Sequence, residues 1–214
     1  MKIGIDLQGC QSVGNKIRGI GRYSSTLIRY LVENSKEGDE FILISNKSLG
    51  PVDNELILNL EPFASRVKYF EWIYPGSTSN LSNSHIAKIA IAEKIRSYFL
   101  SLLDCDIILI TSFFEGFRDN SIIEFDKDFN LPPIASIFYD LIPLINPEIY
   151  LDNNSDFKSF YLKRLEYLNH IDCLLSISMS SLKEAYQYLS IDKSNLYNIY
   201  AGCDRSIFYP DEGK

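Results

Sequence analysis

Seven short apolar runs alternate with longer segments of helical period, and this alternation restricts the fold more than any other feature of the chain. The runs lie at residues 3–7, 41–44, 67–72, 107–110, 134–139, 173–177 and 196–200. They are rich in β-branched and aromatic residues, and most are continuous rather than alternating. That is the pattern of strands buried on both faces of a parallel sheet. Between them, Tyr23, Leu27, Ile28 and Leu31 define one helical stripe, and Ile86, Ile89, Ala90, Phe99 and Leu103 a second. Phe157, Phe160, Tyr161, Arg164, Leu165 and Leu168 form a third. Met179, Leu182, Tyr186 and Leu189 form a fourth, with capping-box spacing from Ser181 to Glu184 near its start. Strand and helix in alternation predict an α/β domain with a doubly wound, mostly parallel sheet and right-handed crossovers. Ligands in such sheets bind beyond the carboxyl ends of the strands. The residues that follow each run are therefore where chemistry is to be sought.

A chain of 214 residues needs no disulfide or metal to fold, since it can bury about 70% of its unfolded surface. Cys10, Cys105, Cys173 and Cys203 are widely separated and only His85 and His170 accompany them. Neither a zinc site nor a disulfide framework is expected from that spacing. Cys105 and Cys173 border apolar runs and read as small buried hydrophobes. Asp6 interrupts what would be the apolar region of a signal peptide, and no run approaches the roughly 18 apolar residues of a membrane span. A cytoplasmic protein is expected. The net charge of −7 is uneven. Residues 111–156 hold nine acids against Arg118 and Lys127, whereas residues 7–32 carry Lys16, Arg18, Arg22 and Arg29 and no acid. An acidic chain of this kind lacks the basic field of a nucleic-acid binder.

Four constellations follow predicted strands. After the first run, Arg18-Gly19-Ile20-Gly21-Arg22-Tyr23 opens a helix. Its two glycines allow close backbone approach, the helix start favours an anion, and Arg18 and Arg22 can grip a phosphate. The bland alternative is a glycine-rich turn with solvated arginines. A dinucleotide-binding fingerprint fails here: its third glycine falls at Ser24, and the second run ends Ser45-Asn46-Lys47 without the ribose-binding acid. After the fourth run comes Thr111-Ser112-Phe113-Phe114-Glu115-Gly116-Phe117, where a carboxylate beside aromatics suits sugar hydroxyls and a sugar face. After the fifth comes Tyr139-Asp140-Leu141-Ile142-Pro143, whose carboxylate stands in an apolar setting and needs either a donor or a function. After the sixth, Ser176-Ile177-Ser178-Met179-Ser180-Ser181 places hydroxyls at a strand-to-helix corner, where caps are the common use. Pro75-Gly76-Ser77-Thr78-Ser79-Asn80 reads as a polar loop opened by a Pro-Gly turn signal. Neither histidine joins a nucleophile, and no catalytic triad is visible.

In this order the motifs resemble the N-terminal domain of a GT-B glycosyltransferase of the retaining group 1 (family 4) class. The resemblance rests on Ile3-Gly4-Ile5-Asp6, Arg18-Gly19-Ile20-Gly21-Arg22-Tyr23, Phe114-Glu115-Gly116, Tyr139-Asp140-Leu141-Ile142-Pro143, Ile177-Ser178 with Ser181, and Ala201-Gly202-Cys203-Asp204. It implies a Rossmann-like domain over residues 1–200, an interdomain linker starting at 201–214, and a C-terminal donor-binding domain not contained in the chain. It also implies a nucleotide-sugar as co-substrate without a metal, and a glycan or lipid-linked oligosaccharide as acceptor, as in bacterial surface polysaccharide synthesis. Asp140 and Glu115 would be the catalytic carboxylates. Arg18, Gly19, Gly21, Arg22, Tyr139 and Ser178 would bind substrate. Two departures stand out. Tyr139 occupies a position where many relatives carry histidine, and the spaced glutamate pair of the family's C-terminal domain is missing. With one wall of the cleft absent, the isolated chain is expected to be inactive.

A non-catalytic Rossmann-like binding or regulatory module is the rival reading. A nicotinamide-dependent enzyme is weakened by Ser24 and Asn46. Peripheral contact with the inner face of a membrane is carried by residues 84–103, where His85, Lys88, Lys94 and Arg96 face one acid, Glu93. A sheet-covering helix with a solvated basic side is the favoured reading of that segment.

Overall fold

The computed structural model describes residues 1–12, 14–16, 18–82, 86–202 and 209. Seven strands form one sheet: β1 (Lys2–Asp6), β2 (Glu40–Asn46), β3 (Val67–Trp72), β4 (Ile107–Ile110), β5 (Ile134–Phe138), β6 (Cys173–Ser176) and β7 (Leu196–Asn198). The helices are α1 (Gln8–Gln11), α2 (Gly19–Glu33), α3 (Asn54–Leu60), α4 (Ile86–Ser101), α5 (Ile142–Ile145), α6 (Pro147–Tyr150), α7 (Ser155–Leu168) and α8 (Met179–Tyr188). Strand order is β3-β2-β1-β4-β5-β6-β7, and every ladder is parallel. All seven predicted runs are strands, and the sheet is wholly rather than mostly parallel.

Successive residues of one strand enter opposite layers. Phe41 and Leu43 pack with Ile3, Ile5, Ile28 and Val32 of β1 and α2, while Ile42 and Ile44 pack with Ala92 and Leu100 of α4. Farther along the sheet, Ile134, Phe138, Leu174 and Leu196 meet Tyr161, Leu165 and Leu168 of α7 and Leu182 of α8. Each such side chain is worth about 1.5–3 kcal/mol when fully buried, which is why the runs lack polar breaks. The winding reverses between β1 and β4. At that reversal the loops after both strands leave the sheet, which is where ligands bind in sheets of this kind.

Two predicted stripes turn. In α4 the inward residues are Ala92, Arg96, Ser97 and Leu100, while Ile86 is exposed. The helix is apolar on both sides, so spacing alone does not select the inward one. In α8 the buried residues are Ser181, Leu182 and Ala185, and Met179 and Tyr186 are exposed. The helix starts at Met179, so its capping box joins Ser178 to Ser181 rather than Ser181 to Glu184. Glu184 instead accepts the backbone N–H of Leu141 at 2.8 Å. The third stripe is as expected, with Phe160, Tyr161, Arg164, Leu165 and Leu168 all buried. Ala201 and Gly202 are exposed, whereas Cys203, Asp204 and most of the expected linker lie outside the described residues, as does His85.

Candidate functional site at the winding reversal

A buried polar network lies beneath the loops at this reversal. Asp6, at the carboxyl end of β1, pairs with Arg96 of α4 at 2.7 Å, both side chains being within 1% of full burial. The Gln8 backbone and side chain both donate to the Asp6 carboxylate, at 2.9 and 3.0 Å. Gln8 also donates to the Ile122 carbonyl and accepts from the Ile122 N–H, which pins the loop after β4. Asn46 donates to Gln8 Oε1 and to the Asn120 carbonyl, and its own Oδ1 caps Ser48. The position where a ribose-binding acid was sought is thus a structural hub. Ser24 is fully buried and bonds Tyr139 Oη at 3.2 Å, so the missing third glycine is a side chain tied into the core.

Above this network the loops after β1 and β4 bond to each other. Glu115 Oε1 accepts from Asn15 Nδ2 at 2.5 Å and from Ser112 Oγ at 2.6 Å. Ser12 donates to Asp119 at 2.5 Å, and Asp119 caps the Ser121 N–H. Gly116 has φ +101°, and a Cβ there would stand 2.5 Å from the Ser121 carbonyl, so only glycine makes this turn without strain. Arg164 Nη2 holds the Glu115 carbonyl at 2.7 Å while its Nη1 pairs with Glu124. Residues 75–79 are the expected polar loop, with Thr78 and Ser79 buried. Thr78 donates through N–H and Oγ1 to Asn120, and the Asn80 N–H meets the Gly116 carbonyl.

Burial raises the Glu115 carboxyl above the usual range; the hydroxyl and amide donors from Ser112, Ser12 and Asn15 oppose the shift, and Asp119 adds to it. The sign for stability follows. As pH rises past about 4.3 the unfolded chain loses this proton while the fold retains it. Stability from this group is therefore full at low pH and is lost as pH rises through the folded carboxyl's higher value. Glu115→Gln keeps an acceptor for both donors and removes the titration. The stability of the variant relative to the native chain should rise between about pH 4 and 7, as measured by urea denaturation. A difference that is constant with pH would show that Glu115 carries no such cost.

The remaining predicted residues lie around this cluster. Arg18 precedes α2 in extended conformation; Arg18, Gly19 and Arg22 are exposed, and a Cβ on Gly19 would meet open space. Gly21 differs. A Cβ there would lie 2.4 Å from the Asn15 carbonyl and 2.6 Å from Lys16 Cα, so its close approach is to the chain's own loop. Gly21 thereby seats Asn15, which in turn holds Glu115. Tyr139 donates to the Thr111 carbonyl at 3.1 Å and packs edge-on to Tyr23, and burial pushes its hydroxyl far above the ordinary range. Asp140 is half-buried and accepts only the Ile142 N–H, at 3.0 Å, among the described residues. It lies close enough to Tyr161 to raise that hydroxyl further, after burial, and Phe114 stacks on the Tyr161 ring at 4.8 Å. Ser178 is spent on the cap of α8, accepting the Ser181 N–H at 3.0 Å. Arg18 to Arg22, Glu115, Asp140 and Ser178 thus follow β1, β4, β5 and β6, four strands adjacent in the sheet. Arg18, exposed before α2, and the half-buried Asp140 carboxylate are groups with capacity left for a ligand.

No protein-family model matches the chain. Three Escherichia coli proteins, each named serotype-specific mannosyltransferase WbdA, are similar to it. The first is 32% identical over 209 residues, which is 93% of this chain. The others are 29% identical over 181 residues and 30% identical over 130, or 80% and 61% of the chain. Nearly the whole chain is similar to mannosyltransferase sequence. It spans 24%, 21% and 16% of those relatives' own lengths, so each carries much more sequence than is matched here.

Spacing did not reveal the groups that build this polar cluster. Asn15, Ser112, Ser12 and Asp119 read as ordinary turn residues, and Asn46 as an absence. Arg96 offered a signal that was open to reading: with Ala92 and Leu100 it repeats at four-residue spacing, which puts it on the inward side of α4. Several acids of residues 111–156 are likewise engaged rather than solvated, among them Glu124 with Arg164 and Asp126 with Lys94. Cys10 is buried, its thiol pushed up to about 12 chiefly by desolvation, while Cys105 and Cys173 are only half-buried. Among the described residues no cluster of His, Cys, Asp and Glu has the makings of a metal site, and His170 is exposed. No described helix is long and apolar enough to cross a membrane.

Proposed function

We propose that this chain is the acceptor-side domain of a sugar transferase with GT-B architecture, of the retaining family 4 class. In this reading a nucleotide-activated hexose is the donor and a glycan or lipid-linked oligosaccharide the acceptor, in the assembly of a bacterial surface polysaccharide. The observation that carries it is similarity to proteins named mannosyltransferase along 93% of the chain. Mannose is accordingly the first sugar to test. The site chemistry supports the same reading. Arg18, Arg22 and the start of α2 supply positive charge for the leaving pyrophosphate, so the mechanism calls on these groups rather than on a metal. Asp140 faces the reacting centre, where its carboxylate bonds an acceptor hydroxyl and opposes the positive charge that develops on the sugar. Glu115 is held too deeply for direct contact in this arrangement and fixes the loop bearing Phe114, a ring suited to a sugar face. Tyr139 positions α2 against β4 through Ser24 and Thr111.

The donor is held by a second α/β domain outside the 214 residues, and transfer requires both walls of the cleft to orient the reactants and exclude water. The test compares residues 1–214 with a longer parent polypeptide that contains them. Each is assayed with a panel of nucleotide sugars and a lipid-linked glycan acceptor. Transfer by the longer protein and none by residues 1–214 is the expected result. Turnover by residues 1–214 alone would overturn the division of labour. A longer protein inert toward every nucleotide sugar would overturn the function in favour of a non-catalytic module.

A further inference from the structure

The outer side of α4 and the turn after it present an apolar stripe that is largely uncovered among the described residues, only Tyr98 meeting another ring, that of Phe129 at 6.1 Å. Ile91, Ile95, Tyr98 and Leu102 are 50%, 36%, 56% and 62% exposed. Their spacing of four, three and four residues is the narrow seam of a two-helix contact, alternating the two core positions of a heptad. A helix lying in a membrane surface has a wider apolar arc and a polar face rich in free basic residues. Here that supply is reduced to Lys88: Arg96 is buried on Asp6, and Lys94 pairs with Asp126 and Asp128 beside the stripe. The acidic surroundings would repel an anionic bilayer.

We propose that α4 is a self-association surface on which two copies of this chain pair antiparallel about a two-fold axis. In that arrangement each core position meets the other type across the seam, so Ile95 packs on Tyr98 of the second copy and Ile91 on Leu102. The charges select this orientation. Lys88, exposed at one end of the stripe, forms no ion pair among the described residues, while Asp104 past the other end is 99% exposed with only a 3.9 Å contact to Lys2. Antiparallel pairing sets each Lys88 near Asp104 of the second copy, twice per dimer; parallel pairing would set like charges together. The contact is isologous and closes at two copies.

Sedimentation velocity of the 214-residue chain from micromolar to millimolar concentration should show a monomer–dimer equilibrium. Ile95→Asp, at an exposed site, should leave the thermal unfolding profile unchanged and weaken the dimer about a hundredfold. Lys88→Glu should weaken it about tenfold, and adding Asp104→Lys should restore it to within about threefold. A chain that stays monomeric throughout, or a dimer indifferent to Ile95→Asp, would overturn the proposal. So would failure of the charge exchange to restore affinity. The same chain mixed with vesicles containing phosphatidylglycerol provides the opposing arm: Ile95-dependent binding of monomer to vesicles would assign the stripe to membrane instead.

Discussion

Replacing Arg96 with Met should destabilise the fold by about 3–5 kcal/mol, the scale for removing one member of a buried ion pair. The number is large because Arg96 does three jobs. Its Nη2 neutralises Asp6 at 2.7 Å, and its Nη1 donates to the carbonyls of Ile123 and Glu124 at 3.0 and 3.2 Å. Met fills much of the volume but leaves a carboxylate and two carbonyls buried without their donor. A domain with about 5–15 kcal/mol of total stability would lose a large share of it. The pair need not be net stabilising for this to hold, because the cost comes from stranding the remaining charge. Adding Asp6→Val should therefore recover part of the loss, although Gln8 then gives up two bonds to the carboxylate. Urea denaturation reads both variants, with the slope reporting whether the folded state stayed compact. A loss below about 1 kcal/mol for Arg96→Met would mean that water reaches the carboxylate in the fold, contrary to its burial.

That ion pair also marks where sequence pattern stops being informative. The strands were legible because each is sealed on both faces and must be apolar without interruption, a condition that few other segments of the chain meet. The grouping of strand ends was legible to the same degree: strand ends follow from the runs, and residues after β1, β4, β5 and β6 are neighbours once the sheet order is known. What lay hidden is long-range and polar. Asn15 reaches Glu115 across 100 residues and Arg96 reaches Asp6 across 90, and neither pairing leaves a local trace. Helix faces were legible only where the opposite side is polar. In α7 the stripe including Arg164 came out whole, whereas α4, apolar on both sides, concealed a buried arginine and exposed Ile91 and Ile95. The same ambiguity is physical rather than accidental, since a helix with two contact surfaces must carry two stripes.

Asp140→Asn in the longer parent polypeptide should lower kcat/KM by about 10²–10⁴-fold while leaving the stability of the fold near its native value. The substitution separates charge from structure at this position. The present carboxylate accepts one backbone N–H, that of Ile142, and an asparagine Oδ1 accepts it equally well, so the turn into α5 persists. In the proposed function, what disappears is the negative charge next to a sugar that becomes cationic in the transition state, and the capacity to accept a proton from the acceptor hydroxyl. Glu115→Gln makes the contrast. Its oxygen is committed to Asn15 and Ser112 in the polar cluster, so the expected loss in kcat/KM is smaller and accompanies a change in stability with pH. Initial rates at several donor concentrations distinguish the two cases, because loss of a transition-state interaction lowers kcat, while displacement of a loop raises KM. An Asp140→Asn enzyme with native turnover would remove this carboxylate from the chemistry. The catalytic charge would then have to come from Glu115, with Asn15 and Ser112 moving aside to release it.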